Sequence, residues 1–408
     1  MTESGDFPKL RPIEFRASTR IPGGCDLLDP SGLSKHILSV SGPLAVVLSG
    51  LDGHRSRADI QAEFMRRFGR MLYSDDLERL IGQFDEVGFL EGPSFDRHVA
   101  ELTRQYREEP VRKLNDESSL GAPIGELGPF LNALLDAPRQ RESTPDARIL
   151  GIVAPHLDYP RGGPCYSSAY GDLARRSDAT RFVILGTNHF GLASSIVGTR
   201  KDFATPFGTV PCDRDLLARL EDRCGADLCE GEFDHAREHS VELQVVLLKH
   251  VLGDRSFEIV PFLCPDPCAD AREGNGNGRE NHLRRFAEAL REALDDDPSI
   301  CLIAGADLSH VGRYFQDERD LDAESLARVE SSDRGALSRI EASEPDSFLA
   351  CVSGTANATH ICSVGCIFTL STALLGRAQP KLLRYHQAVT AEVENCVTCA
   401  AMEFAECS

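Results

Sequence analysis

A chain of 408 residues, 41% of them hydrophobic, is long enough to build two or three domains with proper cores. Its 44 basic residues face 64 acidic ones, giving a formal charge of −20. Such a field repels nucleic-acid backbones and anionic lipid, so neither nucleic acid nor membrane is expected as a partner.

The N-terminal stretch MTESGDFPKLRPIEF lacks an apolar core of signal-peptide length. No later segment approaches the roughly eighteen uninterrupted apolar residues of a membrane span. A cytoplasmic location is expected, with the fourteen cysteines mostly thiols. Several sit inside apolar runs, Cys301 in ICLIAGA among them, and read as small core residues.

Residues 1–97 read as one small unit. SGPLAVVLSGLDG predicts a short helix ending at a turn. SRADIQAEFMRRFGR follows, with Ser56 as N-cap and Asp59 three residues on. SDDLERLIGQFDEVGFLEG has Ser74 as cap, acids in the first turn and Gly88 as the stop. Three helices and a terminal apolar strand, GFLEG, describe a winged-helix-like module. Residues 98–146 are charged, with Pro and Ser clusters around one helix-like piece, GPFLNALLDA, and read as a linker.

From residue 147 to 408 the pattern alternates. ILGIVA, FVILG, FEIVPFL and ICLIAGA are separated by helix-length stretches such as SVELQVVLLKHVLG. That predicts an α/β domain with a mostly parallel central sheet. DPCADAREGNGNGREN, 266–281, interrupts it as a surface excursion.

ILGIVAPH ends on His156, FVILGTNH on His189, and ICLIAGADLSH runs through Asp307 to His310. Ligands of open α/β sheets bind beyond the carboxyl ends of the strands. Glycines 162, 163, 186 and 305 allow sharp bends or close approach there. One histidine at a strand end is more often a hydrogen-bonded structural residue; three with the same placement suit iron, copper or zinc. DHAREHSVELQ puts His235 and His239 one helical turn apart, and Glu238 and Glu242 likewise. If a helix starts near Arg237, His239 faces the crevice from its N-terminal end, whereas His235 reads as a polar face. NATHICSVGCIF carries Cys362 and Cys366, which a helix would place on one face, each a thiolate ligand or a buried small residue. The Cys396–Cys399 spacing lacks a second pair and reads as structural, as do Cys264 and Cys268.

APHLDY, ILGTNHF, EHSVELQ, DLSHVGRY and HICSVGC follow the order and approximate spacing of the Memo family, whose bacterial members are called AmmeMemoRadiSam system protein B. The chain resembles that family over about residues 147–406. The resemblance implies the fold of class III extradiol dioxygenases, non-haem iron enzymes, with a cysteine in the third ligand position. By it, His156, His189 and Cys362 are the metal ligands. His310 takes the acid/base position with Asp307 near it, and His239 lines the pocket with Glu242 orienting it. Asn188 belongs to the same pocket or its support. Asp158 stands where the family has glycine: a carboxylate beside His156, a supporting partner, or a turn residue. The family's His-Ala-Gly-Ser-Tyr-Tyr segment is replaced by RKLNDESSLGAP. Residues 1–97 resemble the winged-helix domain of pyrroloquinoline quinone biosynthesis protein D, which adds a leader peptide to its sheet. A DNA-binding winged helix, which Arg55, Arg57, Arg66, Arg67 and Arg70 would serve, is opposed by the overall charge.

The expectation is a mononuclear redox enzyme using Fe(II), or copper or zinc, on a peptide or small molecule, with a radical enzyme as a partner. Two others stay open: a non-catalytic metal- or peptide-binding protein, and a zinc hydrolase. No nucleophile elbow, phosphate loop or HExxH segment supports hydrolysis by those routes.

Overall fold

The computed structural model describes residues 7–115, 117–136, 147–171, 173–191, 193–269, 277–318 and 320–407. The chain divides into two units, Met1–Glu108 and Glu109–Ser408.

In the first unit three short antiparallel strands come first: β1 (Glu14–Ala17), β2 (Cys25–Leu28) and β3 (Leu38–Val40), in that spatial order. Four helices follow, α1 (Gly42–Ser49), α2 (Arg57–Phe68), α3 (Ser74–Glu86) and α4 (Pro93–Glu108). The cap of α2 is the expected one: Ser56 Oγ accepts from Asp59 N at 3.3 Å, and Ser56 N donates to the Asp59 carboxylate at 2.9 Å. Ser74 is instead the first residue of α3, with Tyr73 at the N-cap and no side-chain bond there. Gly88, at φ +73°, ends that helix as expected. GFLEG forms no strand of the sheet; Leu90 makes a single bridge to Leu10. Phe89 and Leu90 are buried with Leu27, Ile60, Phe64 and Ile81 in the unit's own core.

The stretch expected as a linker is largely structured. Residues 98–108 complete α4, and β4 (Val111–Arg112) opens the second unit. The helix-like piece GPFLNALLDA falls mainly within α5 (Ile124–Leu135), whose Leu127 and Leu131 are fully buried against the sheet domain. Residues 116 and 137–146 lie outside the described set.

The second unit is built on an eight-stranded sheet. Its strands are β5 (Ile149–Ala154), β6 (Arg181–Thr187), β7 (Val197–Gly198), β10 (Glu258–Cys264), β11 (Ile300–Gly305), β12 (Asp307–Gly312), β13 (Ala378–Thr390) and β14 (Asn395–Glu406). The order is β12-β14-β5-β11-β6-β10-β7, with β13 paired on β14. Its centre, β5, β11, β6 and β10, is parallel, and the flanking pairings are antiparallel. A small second sheet joins β4, β8 (Asp202–Thr205) and β9 (Gly208–Val210). The helices are α6 (Tyr159–Tyr170), α7 (Leu173–Arg176), α8 (Arg214–Cys224), α9 (Ser240–Leu252), α10 (Gly278–Asp296), α11 (Ala323–Glu341), α12 (Pro345–Ser353) and α13 (Val364–Ala373).

Central strands buried on both faces explain the unbroken apolar runs. Alternate residues feed two cores. Val153, Val183 and Leu302 pack with α8, α10 and α13, while Ile152, Ile184 and Ile303 pack with α5, α6 and α9. Of the expected excursion at 266–281, residues 278–281 already belong to α10, and 270–276 lie outside the described residues.

Candidate metal centre

Strand order alone brings the site together. β11 lies between β5 and β6, so the segments leaving β5 and β6 stand two strand spacings apart, about 10 Å, with Gly305 between them. His156 and His189 reach toward each other across that gap, and their rings meet edge-on with centroids 4.9 Å apart. A fourth segment, just before α13, brings in Cys362. The ligand atoms of His156, His189 and Cys362 all lie within 4.8 Å of one another.

Each imidazole is held by its far nitrogen. His156 is 2% exposed and its Nδ1 lies 3.0 Å from the Gly305 carbonyl. A carbonyl can only accept, so Nδ1 carries a proton, and Nε2, 3.6 Å from Cys362 Sγ, is the nitrogen left to face an ion. His189 Nδ1 lies 3.0 and 3.1 Å from the two carboxylate oxygens of Glu238, which also accepts the His189 backbone N–H at 3.0 Å. With Nδ1 on Glu238, Nε2 is the nitrogen left to meet Cys362, to which the ring also bonds. Orientation of a ligand histidine by a carbonyl or carboxylate is the usual support of a metal site. The donor set fits an ion: bonds of about 2.0 Å to nitrogen and 2.3 Å to sulfur at a tetrahedral angle set N and S about 3.5 Å apart, close to the 3.6 Å found.

The charges agree. Burial pushes the Cys362 thiol up, but His310, His156 and His189 outweigh it and hold it well below the usual thiol range. Burial lowers His156, yet Asp307 and Cys362 bring it up to about 9. Burial likewise disfavours charged His189, and Glu238 and Cys362 more than offset this, raising it well above its ordinary value. Glu238, 1% exposed, is held below the usual carboxylate range because His189 and His239 outweigh its burial. The thiolate that binds borderline metals is thus favoured by the fold itself.

His239 is the N-cap residue of α9, as a helix start near Arg237 implied. Its ring stacks on His189 at 5.2 Å and meets His156 edge-on at 5.4 Å. Burial and the charges of His156 and His189 push it down to about 4, so it is neutral at pH 7. Asp307 is buried; its Oδ1 accepts the backbone N–H groups of His156 (3.0 Å) and Leu157 (3.2 Å), and Oδ2 lies 3.6 Å from His156 Nε2. His310, on β12, packs against Phe315 and its Nδ1 lies 3.0 Å from the Leu308 carbonyl, which leaves Nε2 free.

Three other residues have different occupations. Asp158 is the N-cap of α6: it accepts Arg161 N at 3.1 Å and pairs with the Arg161 guanidinium at 2.6 Å. The segment behind His156, where Gly162 and Gly163 could have bent sharply, is a helix opened by Asp158 and Pro160. Glu242 does not reach His239; its carboxylate binds the Arg112 guanidinium and accepts Asn115 N at 2.7 Å. Asn188 donates to Asp234 at 2.8 Å beside Gly191, at the edge of the site.

His235 is buried and bonded to the Val197 carbonyl at 3.0 Å, outside the groupings. Cys366 is buried one turn into α13 beside Thr187 and Cys264. Cys396 and Cys399 are buried in β14, and Cys268 is buried too.

Glu238 is the residue the reading of the sequence passed over. It was legible as a carboxylate beside His239, but a helix running from Arg237 favoured Glu242, one turn on. The helix begins at Ser240, so Glu238 precedes it and turns to His189.

An α/β sheet with imidazoles and a thiolate converging at the carboxyl edge of its parallel centre defines a protein with a His–His–Cys candidate metal site. A family model described as Memo-like protein matches residues 125–403. A MEMO1 family protein of Aquifex aeolicus is 24% identical over 295 residues, covering 72% of this chain and 74% of its own. One of Methanopyrus kandleri is 29% identical over 264 residues, covering 64% and 81%. The chain belongs to the Memo family.

Proposed function

We propose that this protein is a mononuclear metal-dependent redox enzyme that uses iron, held by His156 Nε2, His189 Nε2 and Cys362 Sγ. The observation that carries the reading is the convergence of these three atoms, with the opposite nitrogen of each ring already occupied. Bound there, iron would supply one-electron chemistry with O2 and leave coordination positions open to substrate.

The residues around it then have distinct tasks. Asp307 fixes the chain at His156 through two backbone N–H groups. His239, neutral and stacked on His189, offers the substrate a hydrogen-bonding group that brings no charge. His310, whose charge acts on Cys362 and whose Nδ1 is held by the Leu308 carbonyl, carries a proton to or from the substrate at Nε2. In the first unit, among the described residues, β1 pairs only with β2, so its other edge could take an extended peptide as an added strand. A peptide substrate is therefore part of the proposal.

The 3.6 Å N–S separation also suits tetrahedral zinc and hydrolysis. The test is metal analysis of anaerobically purified protein, followed by oxygen consumption on adding ferrous iron and candidate peptides. Near one iron per chain and oxygen uptake, both lost in His156→Ala and Cys362→Ala, are expected. Zinc alone with oxygen-independent hydrolysis overturns the redox reading, and metal binding without turnover of any substrate leaves a binding protein.

A further inference from the structure

We propose that Arg112, upstream of the family-matched stretch, is a positioning residue of the metal centre: it fixes the turn at 235–239 from which Glu238 holds His189. The inference rests on the metal reading above.

Arg112 lies on β4, paired to β8 opposite Phe203, and its side chain is 2% exposed, as is that of Glu242. The guanidinium is shared among several acceptors. Nε donates to the His235 carbonyl at 3.0 Å, Nη2 to the Glu238 carbonyl at 2.7 Å, and Nη1 to the Lys113 carbonyl at 3.1 Å and to the Glu242 carboxylate. Asn115 adds its side-chain amide to the Arg237 carbonyl at 2.9 Å. The carbonyls of 235, 237 and 238 thus all bond to the short segment 112–115.

That turn carries the chain from a 3-10 segment (Glu232–Ala236) into α9, and within it Glu238 N donates to the His235 carbonyl over a long 3.4 Å. The Glu238 carbonyl is buried, and without the guanidinium it would bear the full cost of its desolvation. With its backbone held, the Glu238 carboxylate can serve His189 at both the backbone N–H and Nδ1, and Ser240 N at 2.9 Å as well. The path runs from guanidinium to Glu238 backbone, from Glu238 carboxylate to imidazole, and ends at Nε2. Arg112 itself makes no contact with His156, His189 or Cys362. Lysine cannot replace it, because a point charge on a flexible stem cannot span acceptors in several directions as a planar fork does.

Two variants test this. Arg112→Lys keeps the charge and loses the fork. Arg112→Met combined with Glu242→Gln removes both charges, so no lone carboxylate is left buried. Folding is followed by circular dichroism, and Co(II) affinity by the thiolate charge-transfer band. In metal-free protein the His189 Nδ1–H is read by proton–nitrogen NMR of labelled histidines and identified by its loss in His189→Gln. Folded variants should bind Co(II) roughly 10–100-fold more weakly, as loss of an outer partner does, and should lose the protected His189 N–H signal.

Folded variants with wild-type Co(II) affinity and an intact signal overturn the proposal. Loss of the fold in both variants also overturns it, since Arg112 would then serve the core alone. Wild-type protein that takes up no Co(II), or binding indifferent to His156→Ala and Cys362→Ala, overturns the metal reading instead. The NMR signal still decides the role of Arg112 in that event.

Discussion

At neutral pH an ordinary thiol, with a pKa near 8.5, is mostly protonated and reacts slowly with alkylating agents. Cys362 stands apart because three imidazoles face a partly buried sulfur and outweigh the cost of burying its charge. A lowered pKa means the thiolate persists as pH falls below that of ordinary thiols. In metal-free protein, iodoacetamide should therefore modify Cys362 at pH 6–7 faster than the exposed Cys351 and Cys407, as peptide mass spectrometry would show. His156→Ala removes one favourable charge and should slow the reaction most at the acid end of that range. An unchanged rate would contradict the electrostatic account. The ligand residues were legible as residues because strands ending in histidine form a pattern along the chain. Their supports were not: a carbonyl such as that of Gly305 carries no side-chain signature, and Glu238 and Glu242 differ only in where the helix begins.

The element that sets the site is the start of α9. It reaches the sheet because Gly186 and Gly305 present no side chain there. A Cβ on Gly186 would lie 2.4 Å from Ser240 Oγ, and one on Gly305 2.5 Å from the Ser240 carbonyl. Both glycines are points of close approach as expected, and so is Gly162 inside α6, where a Cβ would lie 2.9 Å from the Tyr166 ring; Gly163, also in α6, meets only ordinary contacts. Gly305→Ala should push the helix start outward, carrying His239 and Glu238 with it. The expected cost is about 1–3 kcal/mol in urea unfolding, together with weaker metal binding. Gly278→Ala, at the start of α10 with open space around it, serves as control and should cost nothing. Equal stability of the two variants would show that the contact at Gly305 relaxes freely.

At the scale of the molecule, two units with cores of their own imply two unfolding events. The core of Met1–Glu108 lies around Ile60, Phe64 and Ile81; the two cores of the second unit flank the large sheet. Among the described residues, the His156–His189–Cys362 cluster lies in the second unit. A metal at a hundred times its dissociation constant stabilises the state that binds it by about 2.7 kcal/mol. Calorimetry should then show two transitions, with metal raising only the one that belongs to the second unit, by about 5 °C. Cys362→Ala should abolish that shift. A shift of both transitions together would mean that the units unfold as one. Among the described residues no helix is long and apolar enough to cross a membrane.

The sequence by itself determined what depends on local order. Apolar runs buried on both faces, the Ser56–Asp59 cap and the histidines beyond the strands all follow from periodicity and from side chains acting on near neighbours. The family was legible for the same reason, since its motifs are short and contiguous. Tertiary structure decided everything that needs strands to be adjacent. Setting β11 between β5 and β6 is a choice of pairing, made by burial of the whole sheet, and it turns three distant histidines and one sulfur into a single site. It also decided the antiparallel flank of β12, β13 and β14, and it carried Arg112 to a turn more than a hundred residues away. No spacing along the chain encodes such contacts, because the free energy that selects them is shared by the entire core.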